Sequence, residues 1–395
     1  MSFEVITGNH AAGYALSAAG EANRTARGVA CGIYPITPQT EIVEYVAKFP
    51  FSKGRVVPVE SEHSAMAVSM GASISGARSF TASSANGIAY MAENIMVAGY
   101  YRLPIVMVAV NRTLGPPWNI WADQGDTLML RDFAWMQFYC ETNQEVLDTT
   151  LLAFRIAEDR RILLPVLVCM DAFIVSHTQC ETDLPEQADV DRYLPDLDLP
   201  HRIRYDEART LGGLAWPHEG LASRREIDEA MQRVPGVYDE CRTEFEATFG
   251  RDPGAAVQTL DTDDAEIVLV ASGTMATTAR EVVKKRREAG EKIGLIKIKM
   301  YRPFPAEDIR NACGAASRVA VLDRNYAAGS GGVFWQDTRA AFQGFRDDLL
   351  IQNYLTGLCG GDVTPKVIGD IIADISKRSA AGEPVWMGID NGEEG

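Results

Sequence analysis

The chain has 395 residues, 46% of them hydrophobic, and its formal net charge is −16 at pH 7. That length and apolar content can fill the cores of two or three domains, while the acidity argues against nucleic acid or an anionic membrane as a partner. The longest apolar runs, 104–110 and 162–170, are too short to cross a bilayer, and the N-terminus lacks a signal-peptide pattern. We therefore expect a cytoplasmic protein with no membrane contact.

The seven cysteines are scattered along the chain, and no two of them form a C-x-x-C pair. An odd, dispersed set fits a reducing compartment better than a disulfide framework. It also argues against an iron–sulfur cluster, whose thiolate ligands are usually closely spaced.

Residues 1–175 alternate helix and strand patterns, as a doubly wound α/β domain should. Asn9 is a candidate cap for the first helix. The predicted helices are 10–26, 39–48, 61–77, 87–101 and 144–159, and the predicted strands are 29–34, 55–59, 79–82, 104–111 and 165–170.

The alternation stops at residue 176. Residues 176–260 contain acidic and proline-rich stretches and a polar helix near 222–250, and we interpret them as a linker or arm. A second α/β pattern occupies residues 261–395. It has predicted strands at 267–271, 293–299 and 318–322, and predicted helices from 272 to 289 and over 306–315.

Three polar side chains follow predicted strands of the first domain. Thr37 lies in a two-proline turn after one strand, Glu62 begins a helix after the next, and Arg112 follows the apolar strand 104–111. Ligands of open parallel sheets bind outside the carboxyl ends of the strands. We therefore expect all three side chains to face one crevice.

Several short motifs occur together and in order. They are Gly8-Asn9-His10-Ala11-Ala12, Tyr34-Pro35-Ile36-Thr37-Pro38, Ser61-Glu62, Thr81-Ala82-Ser83, Val110-Asn111-Arg112, Asn119-Ile120-Trp121-Ala122-Asp123-Gln124-Gly125-Asp126 and Met300-Tyr301-Arg302-Pro303-Phe304-Pro305. In this order the chain resembles the α subunit of the 2-oxoacid:ferredoxin oxidoreductases, the family of pyruvate:ferredoxin oxidoreductase. The resemblance implies a pyrimidine-binding thiamine diphosphate domain followed by a transketolase C-terminal-like domain.

The resemblance assigns Glu62 to the aminopyrimidine ring of thiamine diphosphate, where a carboxyl group drives the shift to the imino tautomer. Spacing alone would favour a glutamate that stabilises a helix start, and Glu60 is a competing candidate. Tyr34, Pro35, Ile36 and Ser83 are carried over as further cofactor-binding residues.

The resemblance also places Arg112 on the substrate carboxylate, and we expect the hydroxyl of Thr37 to reach that carboxylate or the cofactor ring. Both residues, with Glu62, are candidate catalytic residues. A planar guanidinium suits a carboxylate better than an ammonium does. A turn residue between two prolines and a surface cap are the alternative readings of Thr37 and Arg112.

The loop 113–126 departs from the family pattern, because Gln124-Gly125 replaces His-Ser and Trp118 replaces a smaller residue. We expect Trp118, Asn119 and Gln124 to line the substrate pocket with Thr37 and Arg112. A neutral amide and an indole N–H beside Arg112 would suit a second carboxylate. This favours oxalate, as in the oxalate oxidoreductase branch, which needs no coenzyme A; pyruvate, giving acetyl-CoA, is the alternative.

The sequence contains no Gly-Asp-Gly motif followed by asparagine, the signature that holds Mg²⁺ and the diphosphate in thiamine enzymes. We therefore assign no metal ligand to this chain. The resemblance implies that a β subunit carries the Mg²⁺ and diphosphate site. It further implies ferredoxin-like and γ-type subunits with [4Fe-4S] clusters, and ferredoxin as the electron acceptor.

The implied reaction is oxidative decarboxylation of a small oxoacid by the multi-chain complex. Two other classes compete with it. A non-oxidative thiamine enzyme would share the fold but normally carries its own metal motif, and a non-catalytic α/β binding or assembly subunit would not explain Thr37, Glu62 and Arg112 at strand ends.

Overall fold

A computed structural model describes residues 2–208 and 210–389 of the chain. The N-terminal part of the chain forms the first α/β unit. Its strands are β1 (Ser2–Thr7), β2 (Val29–Ile33), β3 (Gly54–Pro58), β4 (Ser79–Ser83), β5 (Ile105–Asn111), β6 (Met136–Cys140) and β7 (Val166–Asp171). Its helices are α1 (Gly8–Ala22), α2 (Thr40–Lys48), α3 (Glu62–Ile74), α4 (Ala85–Tyr90), α5 (Ala92–Tyr100), α6 (Gly125–Leu128) and α7 (Asn143–Ala157).

The connecting residues and the second α/β unit follow. The connection contains β8 (Gln179–Leu184), α8 (Gln187–Tyr193), α9 (Pro217–Phe249) and β9 (Val257–Leu260). The second unit contains β10 (Ile267–Ala271), α10 (Thr274–Glu288), β11 (Ile293–Ile298), β12 (Met300–Arg302), α11 (Ala306–Cys313), β13 (Arg318–Asp323), α12 (Val333–Phe342), β14 (Leu350–Leu355), α13 (Pro365–Lys377) and β15 (Val385–Trp386).

The central sheet of the first unit has the strand order β12-β6-β7-β5-β4. Its strands are parallel except β12, which reaches over from the second unit and pairs antiparallel with β6. The parallel pair β2 and β3 lies beside β4 through a bridge between Val29 and Arg78. The carboxyl ends of β2, β4 and β5 therefore point to the same edge.

Strand β5 is buried along its whole length because both faces of the sheet are covered. Side chains alternate across a strand, so Val106, Val108 and Val110 join the core beneath α1 and α7. Ile105, Met107 and Ala109 point the other way, into a core that also includes Val268 and Ile296 of the second unit. The two units thus share one continuous apolar core.

The second sheet has the strand order β15-β14-β13-β10-β11-β9 and is parallel except for β9. The predicted class, two doubly wound α/β units, is confirmed. β10 lies between β11, which follows it in the chain, and β13, which comes later. The order of the strands therefore reverses direction between β10 and β13.

The residues that the sequence predicts as a linker or arm form ordered elements against the first unit. β8 pairs antiparallel with β1, from Ser2 with Leu184 to Thr7 with Gln179. Phe245 of α9 contacts Tyr193 of α8 edge-on, with ring centroids 5.2 Å apart. The division at residues 175 and 260 stays a prediction. None of the helices within 2–208 and 210–389, the long α9 included, is apolar enough over 18 residues to span a membrane.

Two predictions of local structure are corrected. Thr7 caps α1, because its hydroxyl accepts a hydrogen bond from His10 N at 3.2 Å. Asn9, the predicted cap, is fully buried and holds the loop after β2 instead. The helix predicted over 87–101 is two helices, α4 and α5, which meet at Met91.

Candidate functional site

The loop that follows β2 is fixed by two buried amide side chains. Asn9 Nδ2 donates to the carbonyl of Pro38 at 2.7 Å and to Glu41 Oε2 at 3.0 Å. Gln39 Nε2 donates to the carbonyl of Ala82, on the neighbouring strand β4, at 2.7 Å and to that of Tyr34 at 3.1 Å. These bonds hold the loop against the carboxyl end of β4.

Glu62 is the first residue of α3, and its side chain is buried, with 8% of its surface exposed. Ser61 caps this helix, since its Oγ accepts a hydrogen bond from Ser64 N. The carboxylate points across the crevice to Gly87: a Cβ atom built there would lie 2.6 Å from Glu62 Oε1. The glycine therefore makes room for the carboxyl group.

Ser83, at the end of β4, lies beside the same glycine. A Cβ atom at Gly87 would also lie 2.6 Å from Ser83 Oγ, so the hydroxyl and the Glu62 carboxylate share one small space. Ser83 Oγ is buried and has no hydrogen-bond partner among the described residues. A buried polar atom without a partner is costly, and a ligand that supplies the missing bond would remove that cost. The pair Glu62 and Ser83 thus fits the polar edge of a bound ring.

Glu60, the competing candidate, lies outside this space. Its side chain is exposed and accepts a hydrogen bond from Ser64 Oγ. That bond lowers the pKa of the Glu60 carboxyl below its ordinary value. An exposed carboxylate bonded to the helix that follows it is less suited than Glu62 to share a proton with a buried ring.

Arg112 extends β5 into the same crevice and is also 8% exposed. Its Nη1 donates to the carbonyl of Thr37 at 2.5 Å, while its Nε has no hydrogen-bond partner among the described residues. Burial lowers the pKa of the guanidinium, and the nearby Asp126 and Glu62 carboxylates oppose that shift. Arg112 is therefore a buried cation whose Nε–H group is free to bind a ligand.

Asp126 fixes the backbone behind Arg112. Its Oδ2 accepts from the amides of Ala85 at 2.9 Å and Arg112 at 3.0 Å, and its Oδ1 accepts from Asn111 Nδ2 at 2.8 Å. Full burial raises the pKa of the Asp126 carboxyl to about 7, although these hydrogen bonds favour the charged form. One carboxyl group thus joins the ends of β4 and β5.

The loop after β5 forms the outer wall of the crevice. A cavity of about 450 Å³ is lined by Arg112, Trp118, Asn119, Ile120 and Trp121. Trp118 is 74% exposed and packs on Gly115, where a Cβ atom would lie 2.5 Å from its ring. The cavity therefore combines one guanidinium with largely apolar walls.

The second α/β unit holds this loop in place. Asn119 Nδ2 donates to the carbonyl of Cys359 at 3.0 Å, and the Gly360 amide donates to the carbonyl of Ala122, also at 3.0 Å. A Cβ atom at Gly360 would lie 2.1 Å from Trp121 Cβ. The segment 357–361 is thus in direct contact with the wall of the cavity.

Gln124 does not line the cavity with Arg112. Its side chain is fully buried, and its Nε2 donates to Asp171 Oδ1 at 3.1 Å. Its backbone amide donates to the carbonyl of Arg324 at 2.9 Å. The amide that the sequence places beside the substrate instead faces the junction of the two units.

The other predicted residues lie in the loop after β2. Thr37 and Pro35 are exposed, and Tyr34 and Ile36 are half-buried. The backbone carbonyl of Thr37, rather than its hydroxyl, contacts Arg112. The structure thus brings Glu62, Ser83, Arg112 and the loop after β2 to one crevice, with Trp118 and Asn119 at its outer wall.

Sequence reasoning missed two residues that shape the crevice. Gly87 is the first residue of the predicted helix 87–101, and only its position four residues after Ser83 indicates a close approach. Asp126 was part of a motif without a role. The available signal was an acidic residue at the end of the motif 119–126, 15 residues after the apolar strand 104–111; Asp126 lies in the short helix α6.

Within residues 2–208 and 210–389, no group of three or more His, Cys, Asp or Glu side chains is arranged to hold a metal ion. All seven cysteines are free; Cys180 and Cys359 are exposed and the other five are buried.

Two family models match the chain. Residues 21–246 match the model described as pyruvate flavodoxin/ferredoxin oxidoreductase, thiamine diphosphate binding. Residues 265–368 match the model described as pyruvate:ferredoxin oxidoreductase core domain II. The first match covers most of the first α/β unit and most of the connection, and the second match covers most of the second unit.

Curated relatives match along nearly the whole chain. Pyruvate synthase subunit PorA of Methanothermobacter thermautotrophicus is 40% identical over 394 residues, which cover 98% of this chain and 99% of the relative. Ketoisovalerate oxidoreductase subunit VorA of Pyrococcus furiosus is 40% identical over 392 residues, 97% of each chain. Relatives named for two different 2-oxoacids are therefore equally similar.

Solved structures show the same fold at low identity. The 2-oxoglutarate:ferredoxin oxidoreductase from Magnetococcus marinus matches with a TM-score of 0.72 at 19% identity, over 94% of this chain and 65% of that one. A split-gene transketolase matches with a TM-score of 0.56 at 13% identity, over 94% of this chain and 98% of that one.

Proposed function

Since the chain belongs to the 2-oxoacid:ferredoxin oxidoreductase family as an α subunit, we propose that its crevice holds the aminopyrimidine side of thiamine diphosphate and a small apolar 2-oxoacid, with pyruvate as the substrate. The observation that carries the proposal is the buried group formed by Glu62, Ser83 and Arg112, which follow or end strands β3, β4 and β5 at one edge of the sheet. Oxidative decarboxylation of the bound oxoacid is the activity of the complex.

Glu62 and Ser83 are the residues of this chain proposed to hold the cofactor ring. Glu62 would share a proton between its carboxyl oxygen and a ring nitrogen, and Ser83 Oγ would gain the hydrogen bond that it lacks. Tyr34, Pro35 and Ile36 border the space where the ring would lie. When bound, thiamine diphosphate supplies the carbon nucleophile that attacks the 2-oxo carbon.

Arg112 is proposed to bind the substrate carboxylate. Its free Nε and the planar geometry of its guanidinium favour a carboxylate, and its link to Thr37 fixes the direction of approach. Thr37 would contribute through its backbone as a positioning residue and, through its exposed hydroxyl, as a contact to substrate.

The shape of the cavity supports an apolar substituent on the oxoacid rather than the second carboxylate of oxalate. The sequence favours oxalate because the amide of Gln124 and the indole N–H of Trp118 are expected beside Arg112. Gln124 is instead buried against Asp171, and the amide of Asn119 is bonded to the backbone of Cys359 and Trp121. Trp118, Ile120 and Trp121 line the cavity with the single guanidinium, which leaves apolar surface for a methyl or a branched chain. This supports pyruvate, as in the first relative, or a branched 2-oxoacid, as in the second.

The remainder of the site is assigned to partner chains. The relatives are named as subunits, and this sequence has neither a Gly-Asp-Gly motif nor closely spaced cysteines. We therefore assign Mg²⁺ and the diphosphate to a β subunit. The [4Fe-4S] clusters are assigned to ferredoxin-like and γ-type subunits that pass electrons to ferredoxin.

The experiment that tests this function is substrate-dependent reduction of a viologen dye by the natively purified complex. Pyruvate, 3-methyl-2-oxobutanoate and oxalate are each supplied with and without coenzyme A. We expect the fastest reduction with pyruvate and coenzyme A. Faster reduction by the branched oxoacid would make a branched 2-oxoacid the substrate, as in the name of the second relative. Reduction by oxalate without coenzyme A would overturn the argument from Gln124.

A further inference from the structure

A second and larger cavity lies between the two α/β units. Its volume is about 760 Å³, within the usual range for small-molecule sites. Trp121 is the residue that lines both this cavity and the crevice beside Arg112. The other walls of this interdomain cavity belong to neither the cofactor residues nor the substrate residues described above.

The interdomain cavity lies at the carboxyl ends of both sheets. From the first unit come residues after β6 (Glu141–Asn143) and after β7 (172–175), and from the second unit come residues after β10 (Thr274), β13 (Arg324) and β14 (360–363). The strand order of the second sheet reverses between β10 and β13. Ligands of open α/β sheets bind at such a reversal, so the topology itself marks the place beside Arg324.

Arg324 supplies a buried cation to the interdomain cavity. Only 2% of its surface is exposed, and its Nε and Nη1 have no hydrogen-bond partner among the described residues. The nearest carboxylate is Asp171, whose Oδ2 lies 3.9 Å from Nη1. A buried guanidinium with unmade hydrogen bonds pays a desolvation cost that a bound anion would offset.

Asp171 does not satisfy Arg324, because its oxygens already accept other hydrogen bonds. Oδ2 accepts from the amide of Thr274 at 2.9 Å and from its hydroxyl at 2.5 Å, and Oδ1 accepts from Gln124 at 3.1 Å. Three donors from both units thus compete for the carboxylate nearest to Arg324, and the carboxylate of Asp123 also interacts with this guanidinium.

The surroundings of Arg324 favour a ligand with a single negative charge. Asp171 and Asp123 already place negative charge near the guanidinium, and Asp362 is exposed at the rim of the cavity. A dianionic phosphate would be repelled by these carboxylates, whereas one carboxylate matches one guanidinium in charge and in planar geometry. The apolar wall, where the rings of Trp121 and Phe173 lie 4.9 Å apart, suits an aromatic or branched body.

We propose that the interdomain cavity binds a small organic monocarboxylate with an apolar body, whose carboxylate pairs with Arg324. Binding there should change the shape of the crevice beside Arg112, because Trp121 lines both cavities and its neighbours Trp118 and Asn119 line that crevice. The site is separate from Glu62 and Arg112, and ligand binding does not depend on the reaction proposed above.

The test is isothermal titration of the intact purified complex with benzoate, with neutral benzamide and dianionic phenylphosphate as matched probes. We expect saturable binding of benzoate and none of benzamide. Arg324→Gln should weaken benzoate binding by about 10-fold or more, the loss of a charged hydrogen-bonded pair. Arg112→Gln, which removes the guanidinium of the substrate crevice, should leave the affinity for benzoate unchanged.

A second variant, Ile174→Trp, tests the same cavity independently in case Arg324→Gln fails to fold. Ile174 lines the interdomain cavity and is 44% exposed, so Ile174→Trp should narrow the cavity while leaving both Arg324 and Asp171 in place. It too should weaken benzoate binding. Binding that Arg112→Gln removes but Ile174→Trp retains would place benzoate in the substrate crevice and overturn the proposal. So would tighter binding of phenylphosphate than of benzoate, or the absence of saturable binding.

Discussion

The guanidinium of Arg112, at the end of β5, donates a hydrogen bond of 2.5 Å to the backbone carbonyl of Thr37, in the loop after β2. β5 and β2 are separated in space by β4, so this one bond closes the crevice above the end of β4. It also turns one edge of the guanidinium toward the protein. The Nε edge is left without a partner among the described residues.

Replacing Arg112 with lysine should therefore impair substrate binding more than cofactor binding. An ammonium keeps the charge but cannot contact Thr37 and a carboxylate through one planar group. We expect the KM for the 2-oxoacid to rise roughly 10- to 100-fold, as for loss of a charged hydrogen bond. Steady-state viologen reduction measures this, with Arg339→Lys, at an exposed position of the second unit, as the matched control. A KM unchanged from that of the control would remove Arg112 from the substrate site.

The variant Gly87→Ala should block the space shared by Glu62 and Ser83. Its methyl group would lie 2.6 Å from Glu62 Oε1 and from Ser83 Oγ, closer than atoms can approach without displacement. We expect weaker binding of thiamine diphosphate, measured by titration of the cofactor-depleted complex. In Gly71→Ala, where no atom lies within 4 Å of the new methyl, cofactor binding should be unchanged and the helix stabilised by about 0.5–1 kcal/mol. Equal cofactor affinity in the two variants would contradict the assignment.

Gly360→Ala, a change in the second unit, should disturb the loop after β5 (113–126). Gly360 has a φ of 84°, and its Cβ would lie 2.1 Å from Trp121 Cβ, so the loop must shift. The expected result is a higher KM for the 2-oxoacid with unchanged affinity for thiamine diphosphate. In Gly361→Ala the nearest atom lies 3.3 Å from the methyl, and the effect should be much smaller. If both variants behave alike, contact with Trp121 is not what positions the loop.

Asp126 should make the stability of the chain depend on pH. Burial raises the pKa of its carboxyl from 3.8 to about 7, so the folded chain retains a proton that the unfolded chain releases at lower pH. The stabilisation linked to this proton is fully present below pH 3.8 and is lost as the pH rises toward 7. In Asp126→Asn, the fall in the free energy of unfolding between pH 4 and pH 7 should be smaller. Urea unfolding at several pH values measures both slopes, and parallel curves would contradict the assignment.

The parts of the fold that the sequence predicts well are those with a strong local pattern. β5 is a run of apolar residues and is buried along its whole length, and the alternation around it indicates the doubly wound class. β6 was missed because it follows an irregular loop, and its pairing with β12 of the second unit leaves no local signal. Asn9 was misplaced for a related reason: its partners, the carbonyl of Pro38 and the Glu41 carboxylate, are 29 and 32 residues away.

The sequence predicts the site residues that follow strand ends. It does not predict the position of a side chain that long-range contacts determine. Glu62 and Arg112 follow strands whose carboxyl ends share an edge, so topology alone brings them near each other. Gln124 lies in the loop after β5, which begins at Arg112, yet its side chain donates a hydrogen bond to Asp171, at the end of β7, and does not face Arg112. No spacing in the sequence distinguishes a side chain that lines a crevice from one that seals the junction behind it.

The measurement that tests the account most directly compares Glu62→Gln with Glu60→Gln in the assembled complex. The two glutamates are two residues apart, but Glu62 is buried beside Ser83 and Gly87, whereas Glu60 is exposed and bonded to Ser64. Glutamine keeps the shape of the side chain and removes its ability to exchange a proton. Loss of a positioned proton-transfer group should lower kcat for pyruvate-dependent viologen reduction by about 100-fold or more in Glu62→Gln.

Both variant complexes should assemble and hold their iron–sulfur absorbance, and Glu60→Gln should turn over at nearly the unmodified rate. Turnover of Glu62→Gln within a few-fold of the unmodified complex would contradict the account, and so would a loss of equal size in both variants.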